Sequence, residues 1–309
     1  MKQKHLILVF LVLLGVFLAN YYFNKDKDET TMIADLALID TAEVSAMIFY
    51  PKESDFQEMK LEKAGDKWRL KYGNKDVAAS STAVQSILTQ LNFLKPKRLA
   101  AKSVNSWEKY EVTDSLGTRV KIQENGEQVA DLMIGKFIYN QQTGAGTSFV
   151  RRYEEDEIYA IDGYLNMAFN RKAEAFRDNQ LVYTDAASWN KLTFNYPADS
   201  SFVLMKQDGY WFANGQPTDS MAVASYVSSM SRLGTTVFLD DADISATAPE
   251  FNITIEGDAM MPIELYSYNL GPARSSVMTS SMNEDGLFDG TASDLSTRTF
   301  VGINKFLLK

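Results

Sequence analysis

The chain of 309 residues contains no cysteine. Disulfide bonds, thiolate nucleophiles and cysteine-ligated metals are therefore excluded. The compartment stays open, because a reducing cytosol and a cell envelope both permit a cysteine-free protein with a large hydrophobic core.

Histidine is almost as scarce as cysteine. His5 is the only one, and it lies in the charged tip ahead of a hydrophobic run. It could act as a base or a ligand, but its position favours a residue that flanks a membrane segment. A Ser-His-Asp triad or a histidine-ligated zinc site in the folded body is excluded. We expect no cofactor, no metal and no enzymatic activity.

Positive charge is in deficit, with 31 Lys and Arg against 40 Asp and Glu, for a net charge of −9. Nucleic acids and anionic lipid surfaces are poor partners for such a chain, because both are bound through clustered Lys and Arg. Hydrophobic residues make up 45% of the sequence, which is enough to form cores. The length exceeds a usual domain of about 100–200 residues, so two modules are expected.

A single long hydrophobic run lies near the N-terminus. After the tip, residues 1–5, the segment 6–23 has no charged residue and ends in Tyr-Tyr-Phe. Phe17 disfavours signal-peptide cleavage after Ala19, because cleavage needs small residues at positions −1 and −3. As a helix the segment would be about 27 Å long, close to the thickness of a bilayer core. We predict a single-pass transmembrane anchor, followed by a polar linker, residues 24–35.

The orientation of the anchor follows from the length of the chain on each side of it. Lys residues occur on both sides, so charge does not decide it. The short N-terminus and the long body favour a body on the extracytoplasmic side of the membrane.

One helical pattern occurs twice, in AVQSILTQLNFL (83–94) and AVASYVSSMSRL (222–233). In both, apolar residues fall at i, i+3, i+4, i+7 and i+10, which predicts two amphipathic helices with the same buried stripe. Ser80 or Ser81 would cap the first helix, and Asp219 or Ser220 the second.

The segments around these helices also correspond. The offsets fall from 146 (190 − 44) to 130 (295 − 165), as expected for a duplication followed by loop deletions in the second copy. The corresponding segments are 44–51 and 190–197, 56–70 and 201–213, 119–137 and 250–268, and Leu165 and Phe176 with Leu295 and Phe306.

We predict an α+β fold of two tandem related lobes of antiparallel sheet with packed helices, preceded by one transmembrane helix. The first repeat covers residues 36–185 and the second, shorter repeat residues 186–309. Antiparallel sheets are expected because the strands are joined mostly by Gly-, Asn- and Asp-containing turns.

The chain resembles a family of bacterial envelope proteins known as domain of unknown function 4340. The likeness rests on the anchor and on an ordered set of motifs: IDTAEVSAMIFYP (39–51), GDKWRL (65–70), the first helix, LMIGK (132–136), SFVRR (148–152), IYAIDGYL (158–165) and AFRD (175–178). YEVTD (110–114) departs from the family pattern. The resemblance implies a protein anchored in the bacterial inner membrane with its body on the extracytoplasmic, periplasmic side. Such proteins are often encoded near ABC-type transport components of the gliding-motility kind. The resemblance brings no catalytic residues.

Five residues are candidate ligand contacts. Trp68 and Trp211 occupy equivalent positions and could stack a ligand, although strand tryptophans belong more often to a core. Arg151, Arg152 and Arg177 could clamp an anion, although they more often cover strand edges and pair with neighbouring carboxylates.

Other motifs favour turns over chemistry. The loop TGAGTS (143–148) lacks the Lys-Ser/Thr and the helix of a phosphate cradle, so it predicts a hairpin loop. The acidic runs 154–157, 240–243 and 283–285 do not have the spacing of a calcium loop.

The leading hypothesis is a non-catalytic membrane-anchored scaffold or partner-binding module, associated with an ABC-type transport complex. The alternative is a carboxylate-dependent hydrolase of envelope polysaccharide, which needs two acids at roughly 5–10 Å and one raised pKa. A third possibility, a lipid- or small-ligand-binding protein, needs a large apolar pocket.

Overall fold

The computed structural model describes Leu14 and residues 35–92, 94–271 and 276–308. The predicted anchor therefore lies outside the described residues except for Leu14, as do the tip and most of the linker. Among the described residues, no helix is both long and apolar enough to cross a membrane.

Antiparallel strands in two sheets dominate the described residues, with a few helices, which confirms the α+β class. The strands are β1 (Val44–Tyr50), β2 (Met59–Ala64), β3 (Lys67–Tyr72), β4 (Lys75–Ala78), β5 (Pro96–Ala101), β6 (Thr118–Glu124), β7 (Glu127–Asn140), β8 (Ala145–Arg152), β9 (Ile158–Asp162), β10 (Trp189–Asn195), β11 (Phe202–Gln207), β12 (Tyr210–Ala213), β13 (Gln216–Pro217), β14 (Phe251–Gly257), β15 (Ile263–Asn269), β16 (Ser276–Ser280) and β17 (Asn283–Asp289). The α-helices are α1 (Ser81–Leu91), α2 (Trp107–Tyr110), α3 (Leu165–Phe169), α4 (Ser220–Met230) and α5 (Leu295–Thr299).

The chain divides into two compact units, and the first comprises Met1–Val44 and Leu88–Asn170. Its strands are ordered β6-β7-β8-β9-β5, with antiparallel neighbours, so β5 is an edge strand. One core cluster of this unit is formed by Val112, Met133, Phe149, Ile158 and Ala160. Unit 1 therefore combines strands from one continuous half of the first predicted repeat.

The second unit comprises Ser45–Ile87 and Arg171–Lys309. It holds the antiparallel array β4-β3-β2-β1 and the eight-stranded sheet β13-β12-β11-β10-β14-β15-β16-β17. Its core is rich in aromatic residues, and Trp189, Phe194, Tyr226 and Phe306 are each at most 2% exposed. These units, defined by packing, do not follow the boundaries of the predicted repeats, since unit 2 includes β2–β4 of the first repeat.

The two amphipathic helices occur where their patterns predict them. Asp219 caps α4, because its Oδ1 accepts hydrogen bonds from the backbone N–H groups of Met221 (2.9 Å) and Ala222 (3.1 Å). Ser80 caps α1 through its Oγ, which accepts from the N–H of Ala83 at 3.3 Å. The buried residues are Val84, Ile87 and Leu91 on α1 and Val223, Tyr226, Val227 and Met230 on α4, which confirms the predicted stripes.

The hairpins of the two repeats pair in the same register. Lys63 lies opposite Trp68 in β2–β3, and Lys206 lies opposite Trp211 in β11–β12. The closing segments match as well. The Ser80 N–H donates to the Phe176 carbonyl at 2.8 Å, and the Asp219 N–H donates to the Phe306 carbonyl at 2.8 Å. The two hairpins therefore share one register and the two closing segments share one backbone hydrogen bond, while the duplication itself stays a prediction.

Two of the sequence offsets differ from the strand pairing. Val120 pairs with Leu132 and Ile253 with Leu265, so the offset of these hairpins is 133 (253 − 120) rather than 131. The sequence comparison had placed Gly126 on Gly257. Gly126 lies in the β6–β7 turn at φ +89°, whereas Gly257 ends strand β14, so the two glycines are not equivalent.

The first hairpin shows a shift of the same kind. Phe49 pairs with Met59 and Phe194 with Phe202, which gives an offset of 145 (194 − 49) rather than 146. The Tyr-Pro pairs lie at different points relative to the strand ends, since Tyr50 is the last residue of β1 whereas Tyr196 follows β10. Buried pairs fix the register, because a one-residue slip would turn every side chain to the opposite face.

Candidate functional site

The two tryptophans lie on the second strands of matching hairpins. Trp68 and Trp211 are both half-buried, and Trp211 packs against the core of unit 2. Their carbonyl groups accept hydrogen bonds at the same place in each repeat, from the Ala79 N–H at 3.0 Å and from the Thr218 hydroxyl at 2.8 Å. The backbone carbonyls of both tryptophans therefore fix the segment that follows each hairpin.

Arg177 is the candidate arginine that lies in unit 2, and it is buried, with 3% of its surface exposed. Its Nη1 donates to both carboxylate oxygens of Asp240, at 2.9 and 2.7 Å, and to the hydroxyl of Tyr72 at 3.2 Å. The guanidinium carbon lies 3.7 Å from the centre of the Phe238 ring. The cation is therefore neutralised on one side and stacked on the other.

Asp240 receives a second cation, because the ammonium of Lys75 also donates to its Oδ2. Burial by itself would raise the pKa of Asp240, but the hydrogen bonds from Arg177 and Lys75 outweigh it, so the pKa lies below its usual value. This group, Arg177, Asp240, Lys75, Tyr72 and Phe238, is called the arginine cluster below. Its charges are paired with one another, so it holds segments together and presents no open anion site.

Arg151 is buried in unit 1, with 2% of its surface exposed. Its Nε donates to the Val112 carbonyl at 2.9 Å, and its Nη1 donates to the carbonyl of Tyr153. The guanidinium carbon lies 3.7 Å from the centre of the Trp107 ring. Burial lowers the pKa of Arg151. The side chain closes a loop by satisfying backbone carbonyls, so its donors are directed at the protein.

Arg152 binds the segment that precedes β1. Its Nε donates to the Leu36 carbonyl at 2.8 Å, its Nη2 to the Asp35 carbonyl at 3.2 Å, and its Nη1 to Glu155 at 2.9 Å. The structure therefore does not bring the three candidate arginines together: Arg151 and Arg152 support loops of unit 1, and Arg177 belongs to unit 2.

Carboxylates were the remaining candidates for chemistry. Among the described residues, no group of three or more His, Cys, Asp or Glu is placed to hold a metal ion. Asp178 has a raised pKa, because its desolvation outweighs the hydrogen bond from the Gln180 N–H and the charge of Lys67. In the described part of unit 2, no second carboxylate is among the groups that shift it. The acid pair of a glycosidase is therefore not evident at Asp178.

Two surface cavities lie beside residues 35–41, the segment before β1. One, of about 600 Å³, is lined by Leu36, Leu38, Val129 and Arg152 among others, and the second, of about 470 Å³, shares Leu38. Leu38 is 80% exposed. These are open depressions with the arginine already bound to carbonyls, which does not match the enclosed apolar pocket expected of a lipid carrier.

An exposed apolar surface forms at the end of the β7–β8 hairpin and on α3, both in unit 1. It consists of Tyr139 (53% exposed), Tyr164 (39%) and Met167 (58%), which we call the hairpin patch. Ile138 is also exposed, but its side chain lies on the opposite face of β7 from Tyr139, because successive strand residues alternate between faces. Helix α3 is joined to β7 by the Asn166 side chain, which donates to the Gly135 carbonyl at 2.7 Å.

Ring packing and a glycine hold the hairpin patch in place. The rings of Phe137 and Tyr164 lie 5.2 Å apart, and a Cβ at Gly146 would come within 3.0 Å of both rings. A larger residue at Gly146 would separate these rings. The ring of Tyr164 in the hairpin patch is therefore held against Phe137.

Sequence reasoning interpreted this region only as a hairpin loop. A hairpin connection is present, but it covers residues 141–144, and residues 145–148 of the predicted loop belong to β8. One signal could have shown the patch as well: no charged residue occurs between Lys136 and Arg151, in a chain with 23% charged residues. The contribution of Tyr164 and Met167 could not be predicted from the sequence. These residues come after β9, and only tertiary contacts, such as that between the Phe137 and Tyr164 rings, bring them next to the hairpin.

Comparison with known families gives one match. Residues 68–250 match the family described as Domain of unknown function (DUF4340). The chain belongs to this family. The match covers more than half of the chain and confirms the resemblance derived from the ordered motifs. Searches of curated proteins and of solved structures give no match to this chain.

Proposed function

We propose that this DUF4340 protein is a non-catalytic partner-binding module of the cell envelope, and that the hairpin patch is its partner-binding surface. The hydrophobic segment 6–23 anchors it in the bacterial inner membrane, with the body on the periplasmic side. Its partner is a component of an ABC-type transport complex, as the family resemblance implies.

The observation that carries the proposal is the exposure of three large apolar side chains, Tyr139, Tyr164 and Met167, where the hairpin meets α3. Tyr139 and Met167 are each more than half exposed, and no charge lies within the hairpin segment. Interfaces are enriched in aromatic residues and Met and depleted in charged residues at their centres. The buried arginines further support a binding role over a catalytic one, because their donors are directed at carbonyls and at Asp240.

Site-specific photo-crosslinking from intact membranes tests the proposal. A photoreactive residue at Tyr164 should capture one defined partner, and the same residue at Met261, which is 85% exposed and lies in unit 2, serves as the matched control. The capture should disappear when Tyr139 and Met167 are changed to Ser. Equal labelling from both positions, or no reproducible partner, would reject the hairpin patch as the binding surface.

The cysteine-free sequence allows a direct test of location. A single cysteine introduced by Met261→Cys should react with a membrane-impermeant maleimide when the outer membrane is permeabilised and the inner membrane is intact. Reaction only after the inner membrane is lysed would place the body on the cytoplasmic side and overturn this part of the proposal.

The hydrolase alternative depends on Asp178, whose raised pKa is the one property here that a general acid would need. Release of sugar fragments from envelope polysaccharide by the purified chain, lost in Asp178→Asn, would favour the hydrolase over the binding module.

A further inference from the structure

We propose that the partner protein binds the free edge of β7, at the end of the β7–β8 hairpin, as an added β-strand without charged side chains. The inference deepens the proposed function and rests on it, because it names the kind of segment that the partner brings to the hairpin patch. Its basis is the backbone of Tyr139, whose side chain belongs to the patch.

The end of the hairpin extends beyond the neighbouring strand. The ladder between β6 and β7 ends where Thr118 pairs with Ile134. On its other side, β7 stays paired with β8 as far as Asn140 and Ala145. Within the described part of the chain, the last residues of β7 therefore have a strand on one side only. A strand edge of this kind presents unpaired backbone N–H and C=O groups.

The hydrogen bonds of β8 show which backbone groups face the free side of β7. The Gly163 N–H, just after β9, donates to the Gly146 carbonyl at 3.1 Å, so the backbone of Gly146 faces β9. Gly146 lies directly opposite Tyr139. Opposite residues of an antiparallel pair either bond each other or both point away, so the N–H and C=O of Tyr139 point away from β8. Among the described residues, none is bonded to these two groups.

Both faces of this edge are apolar and exposed. Tyr139 is 53% exposed on one face and Ile138 is 46% exposed on the other. A strand added to the edge would contact side chains on both faces, because cross-strand neighbours lie close together. No charged residue occurs between Lys136 and Arg151. A charged side chain on the added strand would lose its hydration without gaining a partner, so the segment that fits is uncharged.

Two other edge strands of the described sheets carry features that discourage strand addition. Strand β5 has Pro96 and Lys97, and register shifts interrupt its pairing with β9. Strand β13 consists of Gln216–Pro217 alone. Proline, lysine, bulges and short length all protect sheet edges. Residues 137–140 of β7 contain neither proline nor charge and pair regularly with β8, so this edge is open to another strand.

Strand addition gives a role to each exposed group at the end of the hairpin. When a peptide adds to a sheet edge, main-chain hydrogen bonds supply affinity and the side chains beside the edge supply specificity. Here the Tyr139 backbone supplies one donor and one acceptor, the hairpin patch supplies apolar contacts on one face, and Ile138 supplies them on the other. Contact with the patch alone would leave Ile138 and the Tyr139 backbone unused.

Removal of one N–H separates backbone pairing from side-chain contact. Tyr139→Pro and Tyr139→Ser both remove the ring, but only proline removes the N–H that faces the free edge, where proline is tolerated. With the photoreactive residue at Tyr164 in intact membranes, the proline variant should capture at least about tenfold less partner than the serine variant. Circular dichroism checks that both variants fold. Equal capture by the two variants would overturn strand addition and leave the proposed function standing, whereas no capture by the natural chain would reject both.

Amide hydrogen exchange gives a second, independent measurement on the unchanged edge. In the crosslinked complex, the Tyr139 N–H should exchange at least about tenfold more slowly than in the free full chain, because it becomes bonded to the added strand. The Ile138 N–H is the internal control, since Ile138 lies opposite Thr147 and its backbone faces β8 in both states. Unchanged exchange at Tyr139 in a complex that does form would contradict strand addition.

Discussion

Arg177 and Asp240 are separated by 63 positions and form an ion pair of 2.7 Å, in which the arginine side chain is 2% exposed and the aspartate 23%. The pair joins the AFRD segment of the first repeat to the acidic run of the second, inside unit 2. Breaking such a pair leaves a charge without its partner in a poorly solvated place, which costs more than the pair itself contributes.

Arg177→Met should therefore lower the free energy of unfolding by about 2–4 kcal/mol, with Lys75 left to hold Asp240. Denaturant unfolding followed by circular dichroism measures the change. The control is Lys191→Met, which removes a 2.7 Å pair with Glu256 in which both side chains are more than one-third exposed. That variant should lose no more than about 1 kcal/mol. Equal losses in the two variants would show that the burial of Arg177 does not matter.

Acid should affect the contributions of Asp240 and Asp178 to the free energy of unfolding in opposite directions. The pKa of Asp240 in the folded state lies below the usual 3.8, so its stabilising contribution is present above that pH and is lost as the pH falls through the folded value. Asp240→Asn should therefore be less stable at pH 7 and should lose less stability on acidification below pH 4. Unfolding curves measured from pH 2 to pH 7 test this.

Asp178 should behave in the opposite way. Burial raises its folded pKa above the usual 3.8, so the folded state is favoured while Asp178 is protonated, and this advantage is lost as the pH rises through the folded value. Asp178→Asn removes the buried charge and keeps an acceptor for the Gln180 N–H. It should be at least as stable as the natural chain at pH 7. A clear loss of stability at pH 7 would contradict the assigned direction.

Gly135 on β7 should not tolerate a side chain. A Cβ at this position would collide with the Tyr110 carbonyl oxygen and lie 2.6 Å from Cγ1 of Val112. Gly135→Ala should cost at least about 2 kcal/mol of unfolding free energy, since backbone at α2 must move. Gly302→Ala is the matched control, because Gly302 has φ −78° and open space around it. That change should stay within about 0.5 kcal/mol in thermal or denaturant unfolding.

The hairpin patch should be important for binding and unimportant for stability. Tyr139→Ser with Met167→Ser removes apolar groups that are 53% and 58% exposed, so the unfolding free energy should change by no more than about 1 kcal/mol. The recovery of the crosslinked partner should fall at least about tenfold, as expected for loss of aromatic and methionine anchors. The comparison with Met261→Ser, in unit 2, shows whether the loss is specific. A stability loss of several kcal/mol would instead place these side chains in the fold.

The sequence predicted the helices with particular success. The stripes of α1 and α4 follow from 3.6-residue periodicity, and the caps follow from Ser80 and Asp219 at the first turn. The hairpins around Trp68 and Trp211 were also predictable, because turn residues separate two short alternating strands. The exact correspondence between strands of the two repeats was less predictable. Gly126 and Gly257 align in sequence, but Gly126 lies in a turn and Gly257 ends a strand.

The candidate residues show the same division. The sequence offered Arg151 and Arg177 as possible ligand contacts, but their partners are carbonyls near Val112 and the carboxylate of Asp240, which only folding brings close. The hairpin patch was missed because two of its members come later in the chain than the hairpin: Tyr164 immediately precedes α3, and Met167 lies on it.

By itself the sequence determined the α+β class, the family, the amphipathic helices and the exclusion of cysteine and histidine chemistry, because these depend on composition and on local periodicity. The tertiary structure decided how the strands group into two units, where each arginine finds its acceptors and which apolar residues stay exposed. Those properties depend on contacts between residues far apart in the chain, and no local pattern encodes such contacts.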